Sequence, residues 1–185
     1  MDETVLIDNA IQSVILKLVI HNCGMRLGLE AVTMRISDYD LLKKQITALA
    51  EISSNWMPVL SNASALIYDA LDDVNWAGFY IVRDDALLLG PFQGKVACVA
   101  IDKGRGVCGT AFSKDEVQVV PDVHEFPGHI ACDSASQSEI VIPIHNGEEV
   151  VAVLDIDSPV KNRFDKTDCA GLTEFVRCLE DIIEW

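Results

Sequence analysis

Cations, aromatic rings and long apolar runs are all scarce in this chain of 185 residues. Fourteen Lys and Arg stand against 29 Asp and Glu, a formal net charge of −15. The few cations are scattered, so the chain repels phosphate backbones and anionic membranes, and nucleic acid is a poor first partner. The most apolar stretch, Val14 to Ile20, is interrupted by Lys17 and falls far short of the ~20 residues that span a bilayer. The opening MDETVLIDNA carries acids where a signal or transit peptide carries Lys or Arg. No two cysteines show the close pairing of zinc ligands, and the expectation is a cytoplasmic protein without membrane contact and without metal.

Half of the residues are hydrophobic and 6% are aromatic, which excludes disorder and favours a core of aliphatic side chains. The length is that of one domain, long enough to bury a core without disulfide staples. The 6 cysteines are therefore expected to be reduced in the cytosol, and any disulfide among them to be transient and chemical.

Residues 1–36 read as an extension of unknown role, with Ile11, Val14, Ile15, Leu18 and Val19 at helical spacing. From Ser37, a capping residue, Leu41, Leu42, Ile46, Leu49 and Ile52 predict one apolar helix face. A second helix is predicted over 57–71 with Pro58 near its start, and a third after 165–168, where Leu172, Phe175, Val176, Leu179, Ile182 and Ile183 recur at helical spacing. Between them lie short strand-like runs at 75–82, 86–92, 96–101, 117–122, 139–145 and 150–157, interrupted by one short helix after Gly106. Strands so closely spaced, with helices at both ends, predict an α+β fold: a single domain over 37–185 with a mostly antiparallel central sheet flanked by N- and C-terminal helices.

The last two strands carry a register argument. A three-residue loop of Asn146, Gly147 and Glu148 pairs Ile140 with Leu154, Ile142 with Ala152 and Ile144 with Val150, so the apolar residues share one face. Glu139 then stands opposite Asp155 on the other face, with Asp157 two residues further along. Three carboxylates on one enclosed patch repel one another, so at least one keeps its proton at neutral pH and becomes a candidate general acid. A solvated face of an acidic chain, or a divalent cation site, are the other readings of the same spacing.

Cys98 lies in the strand-like VACVAI, Cys108 follows the glycine-rich GRGVCGTAF, and Cys132 sits in the small-residue loop GHIACDSAS with His129 three positions earlier. A thiol that is both reachable and able to deprotonate is a reactive one, which favours Cys132. Cys98 by itself reads as a buried strand residue, and Cys23, Cys169 and Cys178 as bystanders. GRGVCG is a weak phosphate-loop signal, because no Gly-Lys-Ser/Thr follows. His124 and His129 have no partner fixed by sequence.

NWAGFY (75–80), LGPFQGK (89–95), the Cys of VACVAI, GRGVCGTA (104–111), VVPDVHEFPGHIACDSASQSEIVIPI (119–144) and VLDIDSP (153–159) together closely resemble the free methionine-R-sulfoxide reductases, which are single GAF domains. The resemblance runs from about Ser37 to the C-terminus. It implies Cys132 as nucleophile and Cys98 as resolving thiol, with Cys108 an auxiliary resolving thiol or alternative nucleophile. It also implies Glu139, Asp155 and Asp157 as active-site carboxylates, and Trp76 and Tyr80 as lining of the substrate pocket. Backbone N–H groups near Cys132, those of Ile130 and Ala131, suit the carboxylate of a free amino acid.

The implied activity is reduction of free L-methionine (R)-S-oxide through a sulfenic acid and an intramolecular disulfide, recycled by thioredoxin, with no cofactor and in a homodimer. Gln137 departs from the family, where many members have Arg. A non-catalytic GAF sensor of a small molecule and a thiol redox sensor are the competing readings.

Overall fold

The computed structural model describes residues 36–128 and 133–185. The helix read within residues 1–36 lies outside them. Helices α1 (Ile36–Ala50) and α2 (Trp56–Ala70) lead into strands β1 (Trp76–Arg83), β2 (Ala86–Gly94) and β3 (Ala100–Asp102). Helix α3 (Gly106–Lys114), strand β4 (Gln118–Val120) and a 3-10 turn (Val123–Glu125) follow, then β5 (Ser138–Asn146), β6 (Glu149–Ser158) and helix α4 (Lys166–Ile182). The strands form one sheet in the order β3-β2-β1-β6-β5-β4, antiparallel at every pairing. Among the described residues no helix is long and apolar enough to cross a membrane.

The period-2 alternation of the central strands divides the molecule into two cores. Ala77, Phe79 and Ile81 of β1, Ile140, Ile142 and Ile144 of β5, and Ala152, Leu154 and Ile156 of β6 meet α1, α2 and α4 on one face. Trp76, Tyr80, Val141 and Val153 point to the other, where Val107, Cys108, Ala111 and Phe112 of α3 cover them. Both faces are thus buried, and β5 reads as a continuous apolar run for that reason. The helices begin where local chemistry lets them: Asn55 accepts the Met57 N–H, and Asp165 with Asp168 closes a capping box at α4.

Three expectations need correction. In α1 the packed face is Tyr39, Leu42 and Ile46, whereas Leu41 is half-exposed, and Ile52, also half-exposed, lies in the turn beyond the helix; Ser37 lies inside the helix rather than at its cap. Tyr39 is drawn inward because its hydroxyl donates to Asp168 at 2.7 Å.

The strand read over 96–101 shrinks to Ala100–Asp102, and residues 95–99 form an irregular segment with Val96 87% and Val99 76% exposed. An apolar run with no sheet partner for its first half has no ladder to join.

The β5–β6 hairpin turns at Gly147 and Glu148, so that Asn146 pairs with Glu149, and a bulge beyond His145 then shifts the register. Ile144 therefore faces Ala152 and Glu139 faces Asp157, not Asp155. The bulge restores the parity that keeps each strand's apolar residues on one side, which is why the carboxylates still share a face despite the different partner.

Candidate active site

Strand register places the site residues in rows across the second face. Trp76 of β1, Asp157 of β6 and Glu139 of β5 are successive neighbours in one row; Gly78, Asp155 and Val141 form the next. Gly78 leaves the space that a side chain beside Asp155 would fill: a Cβ there would stand 2.4 Å from the Phe92 Cβ and 2.7 Å from the Trp76 ring. Trp76 stacks between Phe92 and Tyr80, with ring centroids 5.3 and 5.9 Å away. The two aromatics that the resemblance assigned to a pocket thus stand beside the three carboxylates.

Helix α3 closes this patch from above. Cys108, 4% exposed, donates its thiol to Glu139 Oε1 at 3.7 Å. Glu139 and Asp155 are buried, and burial pushes the Glu139 carboxyl well above its usual range, with the charges of Asp155 and Asp157 adding to it. Burial and then Asp155 do the same to Asp157. Asp155 is pushed up to about 6 by burial, held back by hydrogen bonds from Cys108 and Glu139. Burial and the same carboxylates raise the Cys108 thiol well above its ordinary value. In this environment the Cys108 thiol favours its protonated form and acts as a hydrogen-bond donor.

Cys108, Glu139 and Asp155 have donor atoms within 4.8 Å of one another. Burial favours the protonated forms of Cys108 and Glu139, so a divalent ion could take all three as ligands only by displacing those protons, and the set is better suited to sharing protons. The Asp155 Oδ1 is buried with no hydrogen-bond partner, an acceptor available to a ligand. Two small cavities flank the acids. One, of about 30 Å³, is bounded by Arg105, Cys108, Glu139 and Asp155, and the other, of about 10 Å³, by Trp76, Tyr80, Val96 and Ala97. That is space for a water or two at roughly 10–15 Å³ each.

Cys98 is in a disulfide, whereas Cys108, Cys169 and Cys178 are free. It is not mid-strand as read, but half-buried in the irregular segment 95–99. Both pocket aromatics hold that segment: the Trp76 indole N–H donates to the Lys95 carbonyl at 3.1 Å and the Tyr80 hydroxyl to the Cys98 carbonyl at 3.0 Å. Cys132, Ile130, Ala131 and His129 lie outside the described residues. His124 is on the 3-10 turn, where its backbone N–H is capped by Asp122. Cys169 and Cys178 pack against the helical core on the opposite face, in keeping with bystanders.

Sequence reasoning missed Asp133, which follows Cys132 and lines both cavities. Its carboxylate accepts from the Ala135 N–H, the Asn75 side chain and Lys95, and those bonds, the Ala135 N–H first, hold it below the usual range. Asp followed by Ser and Ala is an Asx-turn signal that could have marked it.

The GAF domain model matches residues 46–180. The free methionine-R-sulfoxide reductase of Escherichia coli is 51% identical over 145 residues, covering 78% of this chain and 88% of that protein. The fRMsr of Staphylococcus aureus in its reduced form superposes with a TM-score of 0.76 at 51% identity, over 79% of this chain and 95% of that one. The free methionine-R-sulfoxide reductase of Neisseria meningitidis in complex with its substrate gives 0.77 at 38% identity, over 85% and 95% of the two chains.

Proposed function

The chain belongs to the GAF-domain family and, within it, to the free methionine-R-sulfoxide reductases, and from that premise we propose how its residues reduce free L-methionine (R)-S-oxide to methionine. The single observation that carries the reading is the row beside Trp76 of the buried Glu139 and the half-buried Asp157, whose carboxyl groups are both raised, burial first. A thiolate attacks the sulfoxide sulfur, and the oxygen departs only once protonated; Glu139 and Asp157 hold protons at neutral pH and supply them. Cys132 is the attacking thiolate and takes the oxygen as a sulfenic acid, releasing methionine. The Cys98 thiol then displaces that oxygen as water and forms a Cys98–Cys132 disulfide. Support for this pairing is that Cys98 is oxidised while Cys108, Cys169 and Cys178 are free.

Asp155, at about 6, is the acid of the three that is mostly ionised at pH 7, and its unpartnered Oδ1 suits the substrate ammonium. Peptide-bound methionine sulfoxide has an amide there and loses that contact. The Ile130 and Ala131 N–H groups take the carboxylate, and Trp76 and Tyr80 the methyl-sulfur end. The electrons come from thiols, so no metal or organic cofactor enters. A dithiol protein of the thioredoxin class restores the two thiols by exchange, which requires a reducing compartment such as the cytoplasm. The homodimer has an apolar surface to use where Met57 and Leu88 are exposed beside Trp56 and Pro91.

With a thioredoxin system the protein should consume NADPH with the free R epimer and not with the S epimer or with N-acetylmethionine sulfoxide. Cys132→Ser should abolish turnover. Peroxide oxidising the thiols faster than the sulfoxide does would favour the redox-sensor reading instead.

A further inference from the structure

The mechanism above does not use the ion pair between Lys95 and Asp133. Lys95 Nζ lies 3.3 Å from Asp133 Oδ2. Asp133 is the residue after Cys132, and Lys95 is three residues before Cys98.

The Asp133 end is fixed: the Asn75 side chain donates to Oδ2 at 3.1 Å, the Ala135 N–H to Oδ1 at 3.0 Å, and only 10% of the side chain is exposed. The Lys95 end is free to swing, with its side chain 69% exposed. Its backbone is tied down, because Trp76 binds its carbonyl and Tyr80 that of Cys98.

We propose that Lys95 is a positioning residue whose ion pair ties the Cys98 segment to Asp133, the residue that follows Cys132 in the chain, and so sets the rate at which Cys98 captures the sulfenic acid. The inference rests on the reading of Cys132 as nucleophile and Cys98 as resolving thiol. The step it governs is Cys132–SOH plus Cys98–SH giving the disulfide and one water, with no outside electron donor.

With the Lys95 end largely in water, the pair adds little to stability. Its effect is on geometry, where a misplacement of about 1 Å costs up to roughly a hundredfold in rate. A sulfenic acid that waits longer is also open to further oxidation.

The test uses the reduced full chain, one equivalent of free methionine-R-sulfoxide, no reductant, and dimedone to trap sulfenic acid, followed by rapid quench and mass spectrometry. In Lys95→Met the methionine burst should stay within about twofold of wild type, while disulfide closure slows roughly tenfold and the dimedone adduct accumulates. Lys95→Arg should restore closure. In about 1 M salt, where the Debye length falls to about 3 Å, wild type should move toward Lys95→Met.

Disulfide closure at the wild-type rate in Lys95→Met, or equal slowing of both steps, overturns the proposal. If wild type gives no methionine at all, the functional reading has failed; peroxide then generates the sulfenic acid, and the split between adduct and disulfide still decides the role of Lys95.

Discussion

Glu139 stands directly opposite Asp157 across the β5–β6 ladder, with Asp155 on the same face two residues away and its Oδ1 unpartnered. Each carboxyl group is raised, burial first, so the folded state binds protons that the unfolded chain has already released. Stability contributed by such groups is present at low pH and lost as pH rises from the unfolded value near 4 through the folded values.

For Asp155 the window runs from about 4 to about 6. Asp155→Asn removes the charge that must otherwise be buried above it. The variant should melt higher than wild type at pH 8, with the difference shrinking toward pH 4, and should lose affinity for the free amino acid. Thermal melts across that range check the sign; a lower melting temperature at pH 8 would contradict it.

Cys108 is buried against Glu139 and its thiol is raised by that burial, so we propose that it contributes a hydrogen bond rather than a redox step. Cys108→Ser should keep most of the turnover under thioredoxin recycling, Cys108→Ala should lower it, and Cys98→Ser should stall after about one methionine per protein. Equal loss in both Cys108 variants points to a redox role instead.

Gly78→Ala should contract the pocket, since the new Cβ meets backbone and ring atoms that cannot move away. Overpacking of this kind costs about 1–3 kcal/mol. The expected outcome is a lower melting temperature together with a raised KM for the sulfoxide.

His145 joins three elements: its protonated ring donates from Nδ1 to Glu180 at 2.9 Å and from Nε2 to Asp115 at 2.7 Å. Burial alone would lower its pKa, but those two bonds outweigh it and raise the value. The stabilisation is full below about 6.5 and is lost as pH rises through the raised folded value. The melting difference between wild type and His145→Gln should therefore be largest near pH 6 and shrink toward pH 9.

The sequence made the two-faced sheet and the company of Glu139, Asp155 and Asp157 legible, because side-chain parity in a strand follows from period alone. It misjudged which carboxylate faces Glu139, since a bulge inserts one residue without any sign that alternation can reveal. It also misjudged the Cys98 segment. Val, Ala and Ile there read as a strand, but whether a run pairs depends on a neighbour offering free N–H and C=O groups, and the ladder with β2 holds only Ala100–Asp102, with one further bond from the Leu89 N–H to the Val99 carbonyl. The hub at Asp133 stayed hidden because its partners, Asn75 and Lys95, are distant in sequence and meet only in the fold.

The central claim is that one sulfoxide is exchanged for one disulfide. Fully reduced protein, mixed with one equivalent of each free epimer and no reductant, should yield one methionine per chain and lose two thiols with the R epimer, and neither with the S epimer. No methionine from the R epimer, equal yields from both, or methionine formed without loss of thiols would contradict it.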